Sequence, residues 1–218
     1  RYPEAVKICI SGEPVLPNFN DCDYAIDYHN LQYGDRHFRA GEILGNVGHP
    51  VSPSIQDRSA VQPNFANRKF CNFVYSNNRN GTGARLRESF CLQLAQYKPV
   101  DCPSVSLHNV DAELCDRYTH SLHGGRFVAN EDWVRTKLNF LCQYKFTIAF
   151  ENTALSGYTT EKLYHAFHAY SIPIYWGNPD VCQQFNPQAF INVNDYGGDF
   201  QAVIERVIEL DQDDEKYL

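Results

Sequence analysis

The stretch Tyr144 to Gly177, YKFTIAFENTALSGYTTEKLYHAFHAYSIPIYWG, constrains the fold more than any other part of the chain. Phe146–Phe150 is a short, largely apolar run of strand formers. Thr160–Tyr170 carries Leu163, Ala166, Phe167 and Tyr170 at helical spacing, and Ile172–Trp176 is strand-like again. Strand, loop, helix and strand in that order make a βαβ unit. Open α/β sheets take their ligands at the carboxyl ends of the strands, so the polar loop Glu151–Tyr158 lies where a ligand is expected. Lys162 falls in the first turn of the helix, where the dipole disfavours a cation by about 0.3–1 kcal/mol. A bound anion would reverse that sign, because free N–H groups and the ammonium would converge on it. On local sequence alone a solvated lysine is the simpler reading.

The flanking segments extend the α/β pattern. Residues 5–10 read as a strand that runs into the turn Ser11–Pro14, which puts Glu13 just past a carboxyl end; locally, a solvated turn glutamate is the simpler reading there too. Tyr24–Ile26 is a second short strand candidate. Residues 45–69, interrupted by glycine and proline, read as a linker between two lobes. KFCNFVYSN from Lys69 is a strand, Asn77–Gly83 a turn-rich loop, and Ala84–Tyr97 a helix with Leu86, Phe90, Leu94 and Tyr97 on one face. Arg87 falls in or near the first turn of that helix. Further on, Arg126–Ala129 reads as a strand, Glu131–Gln143 as a helix through Val134, Leu138 and Leu141, Pro179–Phe185 as a short helix, Phe190–Val193 as a strand and Phe200–Leu210 as a helix. The acidic end DQDDEKYL reads as an outer helix turn or a frayed tail. Alternating β and α segments predict a doubly wound, mostly parallel sheet.

Composition narrows the function. The formal charge of −7 over 218 residues argues against nucleic acid as the main partner, yet leaves room for a local basic cluster that binds a nucleotide. If the loops before their helices are neighbours, Arg87 and Lys162 form a pincer for a diphosphate, the arginine as a fork and the lysine as a point charge. GxGxxG and GxxxxGK[ST] are both absent. Asp21-Cys22-Asp23 has the form of a metal-holding DxD, but its distance from the two cations favours a structural role. His165 and His168, three apart, read as packing or surface residues. The eight cysteines show neither CxxC nor zinc-finger spacing, and Cys71, Cys91 and Cys142 read as small buried hydrophobes, which favours a reduced setting. The chain starts at Arg1 and holds no methionine, so a fragment or processed form is expected, with membrane association only through segments outside these residues.

FTIAFEN, then GYTTEK, IPIYWG and FNPQAFINV, together with SGEPVLPNFNDCDYAI, KFCNFVYSN, ARLRESF and YKPVD, resemble glycosyltransferase family 10, the α1,3/4-fucosyltransferases. The resemblance covers nearly the whole chain and is densest over residues 69–196. It implies an α/β, GT-B-like enzyme with two Rossmann-like lobes: residues 1–66 a partial acceptor-side lobe with linker, residues 67–218 the donor lobe. It implies inverting transfer of L-fucose from GDP-β-L-fucose to a hydroxyl of N-acetylglucosamine in a glycan, α1,3 or α1,4. It implies that no cofactor is required and that a divalent metal is at most stimulatory. Carried over by motif, Arg87, Lys162, Tyr158, Asn152, Ser76 and Asn77 match donor-binding positions, Glu13 the proposed general base, and Glu161 a second carboxylate near the sugar. The implied compartment is the cytoplasm or the face of the cytoplasmic membrane in a bacterium, and the Golgi lumen in a eukaryote. Two rivals stay open: a same-fold transferase using another nucleotide sugar, and a nucleotide- or glycan-binding lobe without turnover.

Overall fold

The computed structural model describes residues 4–40, 67–77, 81–114, 118–123, 126–129 and 131–217. Two parallel sheets organise them. The first joins β1 (Ile8–Ile10), β2 (Tyr24–Asp27) and β3 (His37–Arg39) in that order. The second contains β4 (Lys69–Asn72), β5 (Val100–Asp101), β8 (Tyr144–Phe150), β9 (Ile172–Trp176) and β10 (Ile191–Asn192). Its spatial order is β5-β4-β8-β9-β10, and every pair in it is parallel. β6 (Tyr118–His123) and β7 (Arg126–Ala129) form a separate antiparallel pair. The helices are α1 (Thr82–Leu94), α2 (Glu131–Leu141), α3 (Glu161–His168), α4 (Phe200–Gln212) and the short α5 (Asp214–Tyr217).

β8 is the middle strand of the second sheet. Its residues are buried almost without interruption, which suits a strand covered on both faces. Phe146, Ile148 and Phe150 join Phe73, Phe90, Leu94, Ile174, Val203 and Val207 in the main core. On the other side Leu163, Ala149 and Tyr175 pack with Val181 and Phe190. Arg68 closes the end of α3: it donates to the carbonyl of Tyr170 and, at 3.2 Å, to that of Ala169, where terminal carbonyls and the negative dipole end favour a cation.

The predicted elements are found with shifted edges. The β1 strand begins at Ile8 instead of residue 5, and β4 stops at Asn72 although Phe73 and Tyr75 continue into the core. The first helix of the second sheet starts two residues early, at Thr82, and this moves Arg87 into its second turn, past the reach of the terminal dipole argument. The strand predicted at Arg126–Ala129 exists but pairs with β6, outside the main sheet. β3, β5 and β6 had no counterpart in the sequence reading. Of the two readings of the acidic end, the outer helix turn is found: Asp211 and Gln212 close α4, Asp214–Tyr217 form α5, and Asp211, 8% exposed, bonds Lys98 and, at 3.0 Å, Tyr97. The linker segment up to Ala66, residues 78–80 of the loop after β4, and Cys115 lie outside the described residues. Cys142 is half-buried, unlike Cys71 and Cys91, which are buried as expected.

Candidate functional site

The strand order β5-β4-β8-β9-β10 reverses its winding between β4 and β8, because the chain goes outward from β4 to β5 and then returns to the far side of β4. Such a switch point leaves a crevice at the strands' carboxyl ends, where ligands of doubly wound sheets bind. The segments that leave β4 and β8 at that end are Phe73–Asn77 and Glu151–Tyr158. Tyr75 pins the first of them to the end of β8: its hydroxyl accepts from the Phe150 amide at 2.7 Å and donates to the Ile148 carbonyl at 2.9 Å.

A cavity of about 130 Å³ opens at this switch point, and Ser76, Asn77, Arg87, Asn152, Glu161 and Lys162 all line it. Six of the eight predicted site residues thus meet in one place, from segments up to 86 positions apart (162 − 76). Arg87 is completely buried. Its guanidinium lies 4.1 Å from the centre of the Tyr75 ring, donates to the Asn152 side-chain oxygen at 2.9 Å and also donates to the Asn77 carbonyl. Its Nε–H has no acceptor within the described residues, and no carboxylate there pairs with it. Burial pulls the Arg87 pKa down, and the nearby Tyr75, Glu88 and Glu151 offset this in part. Gly83 lets α1 come this close: a Cβ there would stand 2.1 Å from the Glu151 carbonyl oxygen, and the Gly83 amide instead donates to the Asn152 carbonyl at 3.1 Å.

Lys162 is in the first turn of α3, as predicted, but the anion it meets there is the protein's own. Glu151 is fully buried and accepts from the Thr160 amide and the Thr160 hydroxyl, each at 2.7 Å. The Lys162 ammonium stands 3.1 Å from the same carboxylate, 2.8 Å from the Thr160 hydroxyl and 3.8 Å from Glu161. Thr160 therefore uses its hydroxyl on Glu151 instead of capping its own helix, and Glu151 does the capping from the preceding loop. Burial lowers the Lys162 pKa, but Glu151 and Glu161 outweigh it and leave the pKa above its ordinary value. Glu151 is the residue that sequence reasoning missed. It belongs to the FEN motif, but nothing short of the loop's path back to the α3 N-terminus shows that its carboxylate turns inward.

Tyr158 and Glu13 lie outside this cavity. Tyr158 is buried against Tyr28, an edge-on contact with ring centres 5.2 Å apart. Burial pushes its hydroxyl pKa well up, and the carboxylates of Glu151, Glu13 and Glu161 push it further. Glu13 is exposed beyond β1, and its charge reaches the loop that carries Tyr158. The first sheet touches that loop directly. Arg39 donates to the carbonyls of Tyr28 and Gly157 at 3.1 Å each, and Asn30 donates to the Ser156 hydroxyl at 3.0 Å. Gly157, at φ +86°, brings the loop so near that a Cβ would stand 2.2 Å from the Tyr28 carbonyl oxygen.

Asp21 and Asp23 are exposed: Asp21 accepts from the Asn18 side chain at 2.5 Å, and Asp23 from the Lys7 amide at 2.8 Å. His165 is buried beside Trp133, and His168 is exposed. Among the described residues no three His, Cys, Asp or Glu side chains are grouped to hold a metal ion, and no helix is long and apolar enough to cross a membrane.

The profile of glycosyltransferase family 10 (fucosyltransferase), C-terminal part, matches residues 68–218. The chain belongs to glycosyltransferase family 10. A second profile, the N-terminal domain of the α-(1,3)-fucosyltransferase FucT, matches residues 1–43 of this family 10 chain. The α-(1,3)-fucosyltransferase FucT of Helicobacter pylori is 31% identical over 235 residues, which cover 93% of this chain and 44% of that protein. GDP-fucose protein O-fucosyltransferase 3 of Gallus gallus is 24% identical, over 94% of this chain and 39% of that protein. A crystal structure of an α1,3-fucosyltransferase with GDP-fucose superposes with a TM-score of 0.75 at 27% identity, over 99% of this chain and 65% of that one. The chain thus has the α/β, GT-B fold of that enzyme, and it spans less than half the length of the two curated relatives.

Proposed function

We propose that this family 10 chain transfers L-fucose from GDP-β-L-fucose to a hydroxyl of N-acetylglucosamine in a glycan, with inversion. One observation carries the reading: Arg87 and Lys162 line a single cavity at the switch point of the second sheet, with Glu161 beside them. Leaving-group charge grows as the bond from the fucose anomeric carbon to the diphosphate oxygen breaks. Fixed cations in a buried site stabilise that charge far better than water does. Arg87 brings a forked donor set whose Nε–H awaits an acceptor, and Lys162 brings a point charge held in place by Glu151 and Thr160.

The anomeric carbon then carries oxocarbenium-like charge, which Glu161 faces as a carboxylate. The acceptor oxygen attacks from the face opposite the diphosphate and gives up its proton to Glu13, the general base in this reading. Asn152, Ser76 and Asn77 hold the donor's polar groups, and Tyr158 closes the site on the side of the first sheet. The roles given to these side chains need no metal, so a basal rate in excess EDTA is part of the proposal. Transfer to a protein hydroxyl, the reaction in the name of the Gallus gallus relative, is the acceptor alternative.

The experiment is GDP release from GDP-fucose in the presence of a lactosamine-type acceptor, with a peptide acceptor run in parallel. Acceptor-dependent release is expected with the glycan. In Glu13→Gln, turnover falls by orders of magnitude while GDP affinity stays at the wild-type value. Undiminished turnover in that variant would remove Glu13 as the base. GDP binding without release would leave a donor-binding lobe in place of a transferase.

A further inference from the structure

We propose that Cys91 and Cys102 are a modification site: they oxidise to a disulfide that ties α1 to the end of β5 and stabilises the fold, with a low-molecular-weight disulfide such as glutathione disulfide as the oxidant. Their Sγ atoms lie 3.9 Å apart. Each residue is 2% exposed, and neither lines the cavity at the switch point. Both backbones are held. Cys91 is in the last turn of α1, where its carbonyl accepts from the Ala95 amide at 2.9 Å. Cys102 follows β5 directly and is clamped by Asn109. The Asn109 side chain accepts from the Cys102 amide at 2.7 Å and donates to the Val100 carbonyl at 2.9 Å, and the Asn109 amide donates to the Cys102 carbonyl at 3.0 Å. The two sulfurs thus meet from fixed positions, and side-chain rotation has only to close about 2 Å to reach an S–S bond length of about 2.05 Å.

A third cysteine lies in the same core. Cys71 is 1% exposed, on β4 opposite Val100 of β5. Its thiol donates to the Asn72 carbonyl at 3.7 Å, whereas the thiols of Cys91 and Cys102 are in contact with each other. In the reaction, a thiolate of the pair attacks one sulfur of glutathione disulfide, forms a mixed disulfide and expels one glutathione thiolate. The other cysteine of the pair, as thiolate, attacks the protein sulfur of that mixed disulfide and expels the second glutathione. The two cysteines lose two protons and two electrons, and glutathione disulfide takes them up as two glutathione thiols. Burial keeps the closed core out of the oxidant's reach, so the exchange runs through local opening. The product closes a loop of 12 residues (102 − 91 + 1) and staples the helix that carries Arg87, one turn before Cys91, to the sheet. In reducing surroundings the pair stays as two thiols in contact.

The test starts from the 218-residue chain purified in reductant. It is incubated with glutathione and glutathione disulfide at a series of ratios, in urea just below its unfolding transition, then alkylated and mapped by peptide mass. A Cys91–Cys102 link is expected, with Cys71 alkylated. After removal of urea the oxidised chain should unfold at a midpoint roughly 6–12 °C above that of the reduced chain, the gain for a loop of this length. Cys91→Ala and Cys102→Val, each measured oxidised and reduced, should lose that difference. Alkylation of both Cys91 and Cys102 at every ratio would overturn the proposal. A link from either of them to Cys71 would overturn it too, as would a Cys91–Cys102 link that leaves the midpoint unchanged or lowers it. The mapping needs only the wild-type chain, so it decides the pairing even where a variant does not fold.

Discussion

Lys162 is a cation in the first turn of a helix, a place that costs stability unless an anion is near. Glu151 is that anion, and it makes the lysine a reliable charge. The sign of its effect can be tested. Glu151→Gln removes the largest influence that raises the Lys162 pKa and leaves burial, which lowers it. In the wild type the lysine's folded pKa lies above its ordinary 10.5, so it keeps its charge to higher pH than a free lysine. In Glu151→Gln the alkaline loss should begin at lower pH, with affinity at pH 7 down by about tenfold from the misplaced ammonium. GDP titrations across pH 7–10.5 measure this, and superimposable alkaline limbs would contradict it. The cation itself was legible in the sequence because helix periodicity fixes where the first turn starts. Its partner was not, because a glutamate one residue past a strand reads the same whether it faces solvent or folds inward to cap the next helix. Arg87 shows the converse: the motif brings it into the candidate set and it lines the same cavity as the others, but the dipole argument for it fails once α1 begins at Thr82.

At the scale of elements, long periodic segments were legible, while short strands were legible only in part. β8, β9, α3 and α4 carry enough apolar residues at one period to declare themselves. β5 has two residues and β3 has three, and in such runs no period can be counted, so only the neighbouring strand defines them. The same limit applies to the end of the chain. DQDDEKYL reads as an outer helix turn or a frayed tail; it is the former, and Asp211 ties α4 to Lys98 ahead of β5 and, at 3.4 Å, to Lys145 on β8. Burial alone would raise the Asp211 pKa, but bonds from Lys98 and Tyr97 and the charge of Lys145 bring it below its ordinary 3.8. A carboxylate with a depressed folded pKa stabilises the fold above its unfolded pKa, and this contribution is lost as pH falls through the folded value. Asp211→Asn should therefore cost about 1–3 kcal/mol near neutral pH, as for a lost hydrogen bond to charge. The gap to wild type should shrink below about pH 4. Urea unfolding at pH 7 and pH 3 reads both values, and a gap that is constant with pH would contradict the assignment.

At the scale of the whole molecule, the switch point explains why residues as distant as Ser76 and Lys162 share one cavity: β4 and β8 are sequence-distant strands laid side by side. The contacts of Arg39 and Asn30 with residues 156 and 157 bring the first sheet against the same loop, so Glu13, Arg87 and Lys162 belong to one connected structure. Individual motifs pointed to each of these residues, but their meeting depends on strand order, which local patterns do not encode. Calorimetric titration of the chain with GDP, UDP and ADP, repeated on Arg87→Lys, tests the central claim most directly. Saturable GDP binding is expected, at least tenfold tighter than UDP or ADP and weakened about tenfold or more in Arg87→Lys, which loses the forked donor set. Equal affinity for the three nucleotides, or GDP binding unchanged by Arg87→Lys, would contradict the account.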